Sequence, residues 1–170
     1  LPGTQTLSVT FAPTDGTTYA SASGTVSIIV DPKAITVTAV AKTKTYGSSD
    51  PALTFTTAAG ALVGSDTLAG LLVRAAGENA GTYAINQGTV TTANNPNYVI
   101  TYTGANLTIE RKAITITADA TNKTYGGSDP TLTYQVTTGS LVPGETLNGV
   151  LARAAGDTFG TYAINQNTIT

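Results

Sequence analysis

This 170-residue sequence predicts a mostly β chain of tandem repeat units. Two observations carry the prediction: a gap-free internal duplication, and short runs in which apolar and polar residues alternate between turn signals. A third is negative, since no stretch shows the sustained apolar spacing of a long helix.

The duplication sets the organisation. Residues 33–91 align with residues 112–170 at a constant offset of 79, and 36 of the 59 pairs are identical. KAITVTA returns as KAITITA, KTYGSSDPALT as KTYGGSDPTLT, and LVRAAGENAGTYAINQ as LARAAGDTFGTYAINQ. Carried backwards, the offset sets residues 13–32 against 92–111, with Tyr19 opposite Tyr98 and Ile28 opposite Leu107. The expected division is therefore residues 1–32, the C-terminal part of a preceding unit; 33–111, a complete repeat; and 112–170, a second repeat lacking its last strands. Both ends cut through units, so the sequence reads as a window on a longer repetitive protein.

The elements follow in order from patterning. In residues 34–39, Ile35, Val37 and Ala39 point to one face and Thr36 and Thr38 to the other, the pattern of a half-buried strand. The alternation recurs in residues 83–85, 98–102, 107–109 and 114–118, with β-branched Thr on the wet side, giving about five short strands per unit. Between them lie turn signals: residues 46–51 (YGSSDP), then Gly60, Gly64, Gly77 and Gly81, and the NNPN cluster of residues 94–97. Residues 65–73 are the one place for a helical turn, with Ser65 or Asp66 as N-cap and Leu68, Leu71 and Leu72 inward. The alternation of Leu72 and Arg74 reads equally well as strand.

Composition narrows the function classes. Hydrophobic residues at 41% suffice for a core, while a net charge of −2 lacks the basic footprint that nucleic acid or anionic lipid requires. The chain has no Cys, His, Met or Trp, which removes the thiol nucleophile, the imidazole base, the usual zinc and haem ligands, and every disulfide. No apolar run approaches the roughly 18 residues of a membrane span, so membrane insertion is not expected.

The blocks T-Y-G-x-S-D-P-x-L-T, L-x-G-x-L-x-R-A-A-G and G-T-Y-A-I-N-Q occur in this order in both repeats. In them the sequence resembles the MBG ("mostly β-grasp", YGX-type) repeat of bacterial adhesins and filamentous-haemagglutinin-like surface proteins. The resemblance implies β-grasp-like units, each a mixed sheet curled over a minimal helix or loop, in an elongated array at the bacterial cell surface, without catalysis. The repeat-motif residues it marks are Tyr46, Asp50, Arg74, Gly81 and Tyr83 in the first repeat, and Tyr125, Asp129, Arg153, Gly160 and Tyr162 in the second. Residues 1–32 are more similar to the final strands of a bacterial immunoglobulin-like domain, with a diverged MBG-like unit as the alternative.

Each candidate site has a plainer reading beside it. Arg74 with Asp50 and Glu78, and Arg153 with Asp129 and Asp157, have the makings of a ligand clamp. A guanidinium equally suits a bidentate structural ion pair pinning the turn before the G-T-Y strand, and that reading is preferred. Tyr46 and Tyr125 offer one aromatic per unit, a poor platform for sugars, and Tyr83 and Tyr162 are expected to face the core. Asp50, Asp66, Glu78, Asp129, Glu145 and Asp157 are of the type calcium takes, yet they are scattered without calcium-loop spacing, so no cofactor is expected. The T-x-T pairs recur only once per repeat, too sparsely for an ice-binding ladder. Lys33, Lys44, Asn86 and Glu110 supply the residue types of an isopeptide crosslink without its spacing, and Lys42, Lys44 and Lys123 read as guards of exposed strand edges.

The leading functional expectation is a stalk or spacer whose partners are neighbouring repeats, with any host or surface glycan or protein bound through domains elsewhere. The alternatives are a self-assembling extracellular filament joined by strand complementation, and a carbohydrate-binding module. An enzyme is not expected, because no Ser, Lys or acid pair has a base to activate it.

Overall fold

The computed structural model describes residues 2–170, which form two compact units, one ending at Glu110 and one beginning at Arg111. The first unit opens with a hairpin of β1 (Gly3–Phe11) and β2 (Ala22–Val30), antiparallel, with Gly3 opposite Val30 and Phe11 opposite Ala22. Opposed residues share a face, so Leu7, Val9, Phe11, Val26, Ile28 and Val30 line one side, while Thr and Ser predominate on the other. Both faces are exposed. In the connecting loop the Asp15 carboxylate accepts from the Thr17 hydroxyl and from the N–H groups of Thr17 and Thr18, which holds its carboxyl well below the usual range.

The rest of this unit comprises β3 (Lys33–Ala39), β4 (Lys42–Thr45), β5 (Phe55–Thr57), β6 (Val73–Arg74), β7 (Gly81–Asn86), β8 (Tyr98–Thr103) and β9 (Ala105–Glu110). They build two mixed sheets. In β5-β3-β8, the central β3 runs antiparallel to β5 and parallel to β8. In β4-β9-β7-β6, the inner strand β9 runs parallel to β4 and antiparallel to β7. Only Gly104 separates β8 from β9, so one stretch of chain leaves the first sheet and enters the second. At that crossing a Cβ would stand 3.3 Å from the Ile85 carbonyl oxygen.

Both sheets feed one core. The alternation in β3 buries Ile35, Val37 and Ala39, which pack with Tyr98 of β8, Ile85 of β7 and Leu107 of β9, closed off by Leu72 and Val90. Burying one such Leu or Ile is worth about 1.5–3 kcal/mol.

No helix forms among the described residues. The stretch from 65 to 72 is an open loop leading into β6; Leu72 is buried, Leu68 half-buried and Leu71 exposed. Two features prevent the helical turn. Gly64 and Gly70 take positive φ, 57° and 116°. The Asn95 side chain then occupies both backbone groups of Ala69, accepting from its N–H at 2.7 Å and donating to its carbonyl at 3.0 Å. Asp66 serves not as a cap but as acceptor for the Tyr98 hydroxyl at 2.6 Å, and that hydroxyl in turn accepts from the Val63 N–H at 2.9 Å.

The second unit contains β10 (Thr115–Ala118), β11 (Tyr134–Thr138), β12 (Ala152–Arg153) and β13 (Ile164–Asn165). β10 pairs antiparallel with β11 as β3 does with β5, and β12 with β13 as β6 does with β7. Thr170 stands at the position of Thr91, so this unit holds no counterpart of β8 and β9 within the 170 residues. Residues 121–124, the counterpart of β4, carry no strand pairing. Ile114, Ile116 and Ala118 are accordingly only half-buried where Ile35, Val37 and Ala39 are buried.

Candidate functional site

The densest group of charged side chains in the first unit lies where the turn after β4 meets the turn between β6 and β7. Gly47, at φ 81°, lets the chain reverse after β4 while the Ser48 N–H donates to the Thr45 carbonyl at 3.0 Å. Pro51 disfavours a helical backbone at Asp50, whose side chain reaches Arg74 of β6. Asp50 accepts a bidentate pair from Arg74, from Nε at 2.5 Å and Nη2 at 3.2 Å, and its carboxylate also meets the Lys44 ammonium at 2.6 Å. Glu78 completes the square, accepting from Lys44 at 2.6 Å and from Arg74 Nη2.

Arg74 Nη1 donates to the carbonyls of Ala75 and Gly77 at 2.9 and 2.6 Å. With its three bonds to carboxylates, all five guanidinium N–H groups are used. The Tyr83 ring lies beside the guanidinium, 5.5 Å from its carbon, and its hydroxyl donates to the Asn79 carbonyl at 2.8 Å. Arg74 and Lys44 hold the Asp50 carboxyl down to about 2, and Lys44 and Arg74 lower that of Glu78. Asp50, followed by Glu78, raises both Lys44 and Arg74.

The second unit repeats this brace. Arg153 donates to Asp129 at 2.9 Å, to Asp157 at 3.0 Å, and to the carbonyls of Ala154 and Gly156 at 2.9 and 2.6 Å. Lys123 meets Asp129 at 2.7 Å and Asp157 at 3.3 Å, and the Tyr162 ring centre lies 5.4 Å from the guanidinium carbon. Arg153 and then Lys123 lower the Asp129 carboxyl, as their counterparts do for Asp50. The brace is slightly more open here. The Lys123 side chain is 26% exposed against 4% for Lys44, which β9 covers in the first unit.

The remaining motif residues take distinct places. Tyr46 is half-buried, and its N–H extends the β4–β9 pairing by donating to the Glu110 carbonyl at 2.8 Å. Tyr125 is exposed. Gly81 opens β7 opposite Ile109, whereas Gly160 precedes β13 without strand pairing. Tyr83 and Tyr162 are half-buried against the brace rather than turned into the core, each packed over a glycine, Gly77 or Gly156.

Lys44 corrects the sequence reading. It sits on the edge strand β4 yet does not guard that edge: it lies opposite Ile109 in the β4–β9 register and is buried between two acids. Its signal was present in the sequence, since Lys44 and Lys123 match at the repeat offset together with Asp50/Asp129 and Arg74/Arg153. Two cations and two anions balance within the brace, and Arg74 keeps no free N–H for a ligand.

No curated protein and no solved structure matches this chain. The profile of the MBG domain (YGX type) matches twice, over residues 35–108 and 114–170, and each match contains one whole brace. By that coverage, the chain belongs to the MBG domain (YGX type) family.

Proposed function

We propose that these units are non-catalytic stalk repeats of a long bacterial surface protein, an adhesin or extracellular filament, in which each unit adds length and resists load. The observation behind this reading is the brace, built twice from a lysine, an arginine and two acids at the same spacing, with its charges spent on one another. A site for chemistry or ligand capture needs polar groups left free to converge on something else.

Topology adds a mechanical reason. β3 leads the repeat and the β8–β9 stretch ends it, and β3 pairs with β8 in parallel over six residue pairs. Tension applied at the two ends of the repeat runs along these strands, so their hydrogen bonds are loaded together in shear rather than peeled one by one. Neighbouring repeats are the partners, and recognition of a host or surface glycan or protein belongs to other domains of the same protein. No cofactor, nucleic acid or membrane takes part.

Single-molecule pulling on the 170-residue chain tests this. The first unit is expected to open in one cooperative step, releasing roughly 3.5 Å per residue, at a force that Arg74→Leu lowers. Gradual extension without a step would sink the stalk reading.

A further inference from the structure

The repeat period by itself spaces T-x-T pairs too widely for a ladder, but the fold sets a second pair beside the first. β3 carries Thr36 and Thr38 on the face turned away from the core, and β8 carries Thr101 and Thr103. Their parallel register places Thr36 opposite Thr101 and Thr38 opposite Thr103. On the other side of β3, Thr56 of β5 stands opposite Thr38. These exposed threonines from three strands form one grid, which steps about 4.8 Å from strand to strand and about 6.6 Å along each strand.

The grid is uncharged and stiff. Ala34 and Val99, opposite each other, complete the face at one end, so the three strands put neither a charge nor a ring on it. Among the described residues nothing hydrogen-bonds to the five hydroxyls, whereas those of Thr89 and Thr92 are spent on backbone N–H groups. Beneath the grid Ile35 and Val37 are buried, and the Tyr102 hydroxyl is tied to the Ile85 carbonyl at 2.8 Å. A strand threonine is restricted at χ1, so each methyl and hydroxyl is held in place before anything binds. The fold does not require this arrangement. In the second repeat Gln135 stands in place of Thr56, and Thr117, the counterpart of Thr38, bonds Thr137 at 3.0 Å. The other sheet of the first unit has a threonine row as well, Thr43, Thr108 and Thr82, but Asn106 and Glu110 of β9 flank it.

We propose that this face of the first unit binds ice, its ligand being the ordered water at the crystal surface. Water oxygens on a prism face of ice repeat at distances close to both steps of the grid. Each hydroxyl takes a lattice position, and the methyls hold the water between them. Charge and shape decide against other ligands. An ion needs an opposite charge and a sugar ring needs an aromatic to stack on, and the grid offers neither. An uncharged lattice meets an uncharged surface. The inference goes beyond the stalk reading and fails separately, because a repeat that ignores ice can still resist pulling.

Partitioning into ice tests this. A single ice crystal is grown slowly in a dilute solution of the 170-residue chain mixed with a marker protein that does not bind ice. The expected result is a chain enriched severalfold in the ice over the marker. Thr101→Tyr raises a ring from the grid and Thr36→Lys puts a charge on it, and each returns the enrichment to the level of the marker. Thr82→Tyr, on the outer face of the other sheet, leaves it unchanged. Melting temperatures show which variants are folded, and Thr36→Lys carries the test if Thr101→Tyr is not. A wild-type chain no more enriched than the marker overturns the proposal, as does enrichment that survives the substitutions in the grid or falls equally with Thr82→Tyr. Retention on crystalline cellulose that Thr101→Tyr abolishes, with no enrichment in ice, makes the face a polysaccharide site and overturns the choice of ice.

Discussion

Replacing Gly77 by Ala probes how the brace and its tyrosine depend on each other. Gly77 has φ 136°, and a Cβ there would stand 2.2 Å from Tyr83 Cε1 and 2.9 Å from both Cζ and the hydroxyl oxygen. The ring has little room to retreat, because its hydroxyl is tied to the Asn79 carbonyl and its backbone is paired within β7. A non-glycine residue in such a backbone region costs about 1–3 kcal/mol, and forcing a methyl into a packed contact costs about 1–3 kcal/mol more. Together these predict a loss of about 2–6 kcal/mol, and at about 4–8 °C per kcal/mol for a domain of this size the first unit melts at least about 8 °C lower. Gly64→Ala is the control, since Gly64 has φ 57° but nothing within 4 Å of the added Cβ, leaving a strain of about 1–2 kcal/mol alone. Thermal melts followed by circular dichroism, with hydrogen exchange to assign each transition to its unit, decide the matter. If Gly77→Ala costs no more than Gly64→Ala, the tyrosine does not rest on that glycine and the argument is wrong.

Acid is expected to loosen both units. Asp50, held at about 2, and Glu78 and Asp129, held below their ordinary values, contribute stability that is complete above the ordinary carboxylate values of 3.8 and 4.5 and is lost as pH falls through the lowered ones. Melting temperature therefore holds level above about pH 4.5 and drops toward pH 2, and Asp50→Asn flattens that drop in the first unit; a melting temperature that rises on acidification contradicts it. Lys44 and Lys123 are raised, so their contribution is present below the ordinary lysine value of 10.5 and is lost as pH climbs past it, which predicts a second decline in an alkaline titration of the melt. Asn95→Ala strips partners from the Ala69 N–H and carbonyl and from the Thr91 carbonyl, costing about 1–3 kcal/mol. Urea titration read by hydrogen exchange should show that loss in the first unit only, and equal losses in both units would refute the local role.

The strands that line the core were legible because burial follows the alternation of side chains. Ile35, Val37 and Ala39 face inward as their spacing requires, and Leu107 and Ile109 do the same. The loop of residues 65–72 was not legible as a loop, because what forbids its helix is an Asn 26 positions away in the chain, holding Ala69 at both backbone groups. Lys44 was misread for a related reason. A lysine on an edge strand is ordinarily solvated, and only the approach of Asp50 and Glu78 from two separate turns makes burying its ammonium tolerable.

By itself, the sequence determined the β class, the 79-residue period and the recurrence of the same Arg, Lys and acidic partners in each repeat, because these rest on local spacing and on identity between repeats. Only the tertiary structure decided that those residues close into a brace, that Tyr83 leans on Gly77 beside it, and that β9 lies between β4 and β7. Asp50 and Lys44 reach Arg74 and Glu78 across long stretches of chain, and β4, β9 and β7 are neighbours in the sheet but not in sequence, which no local pattern encodes.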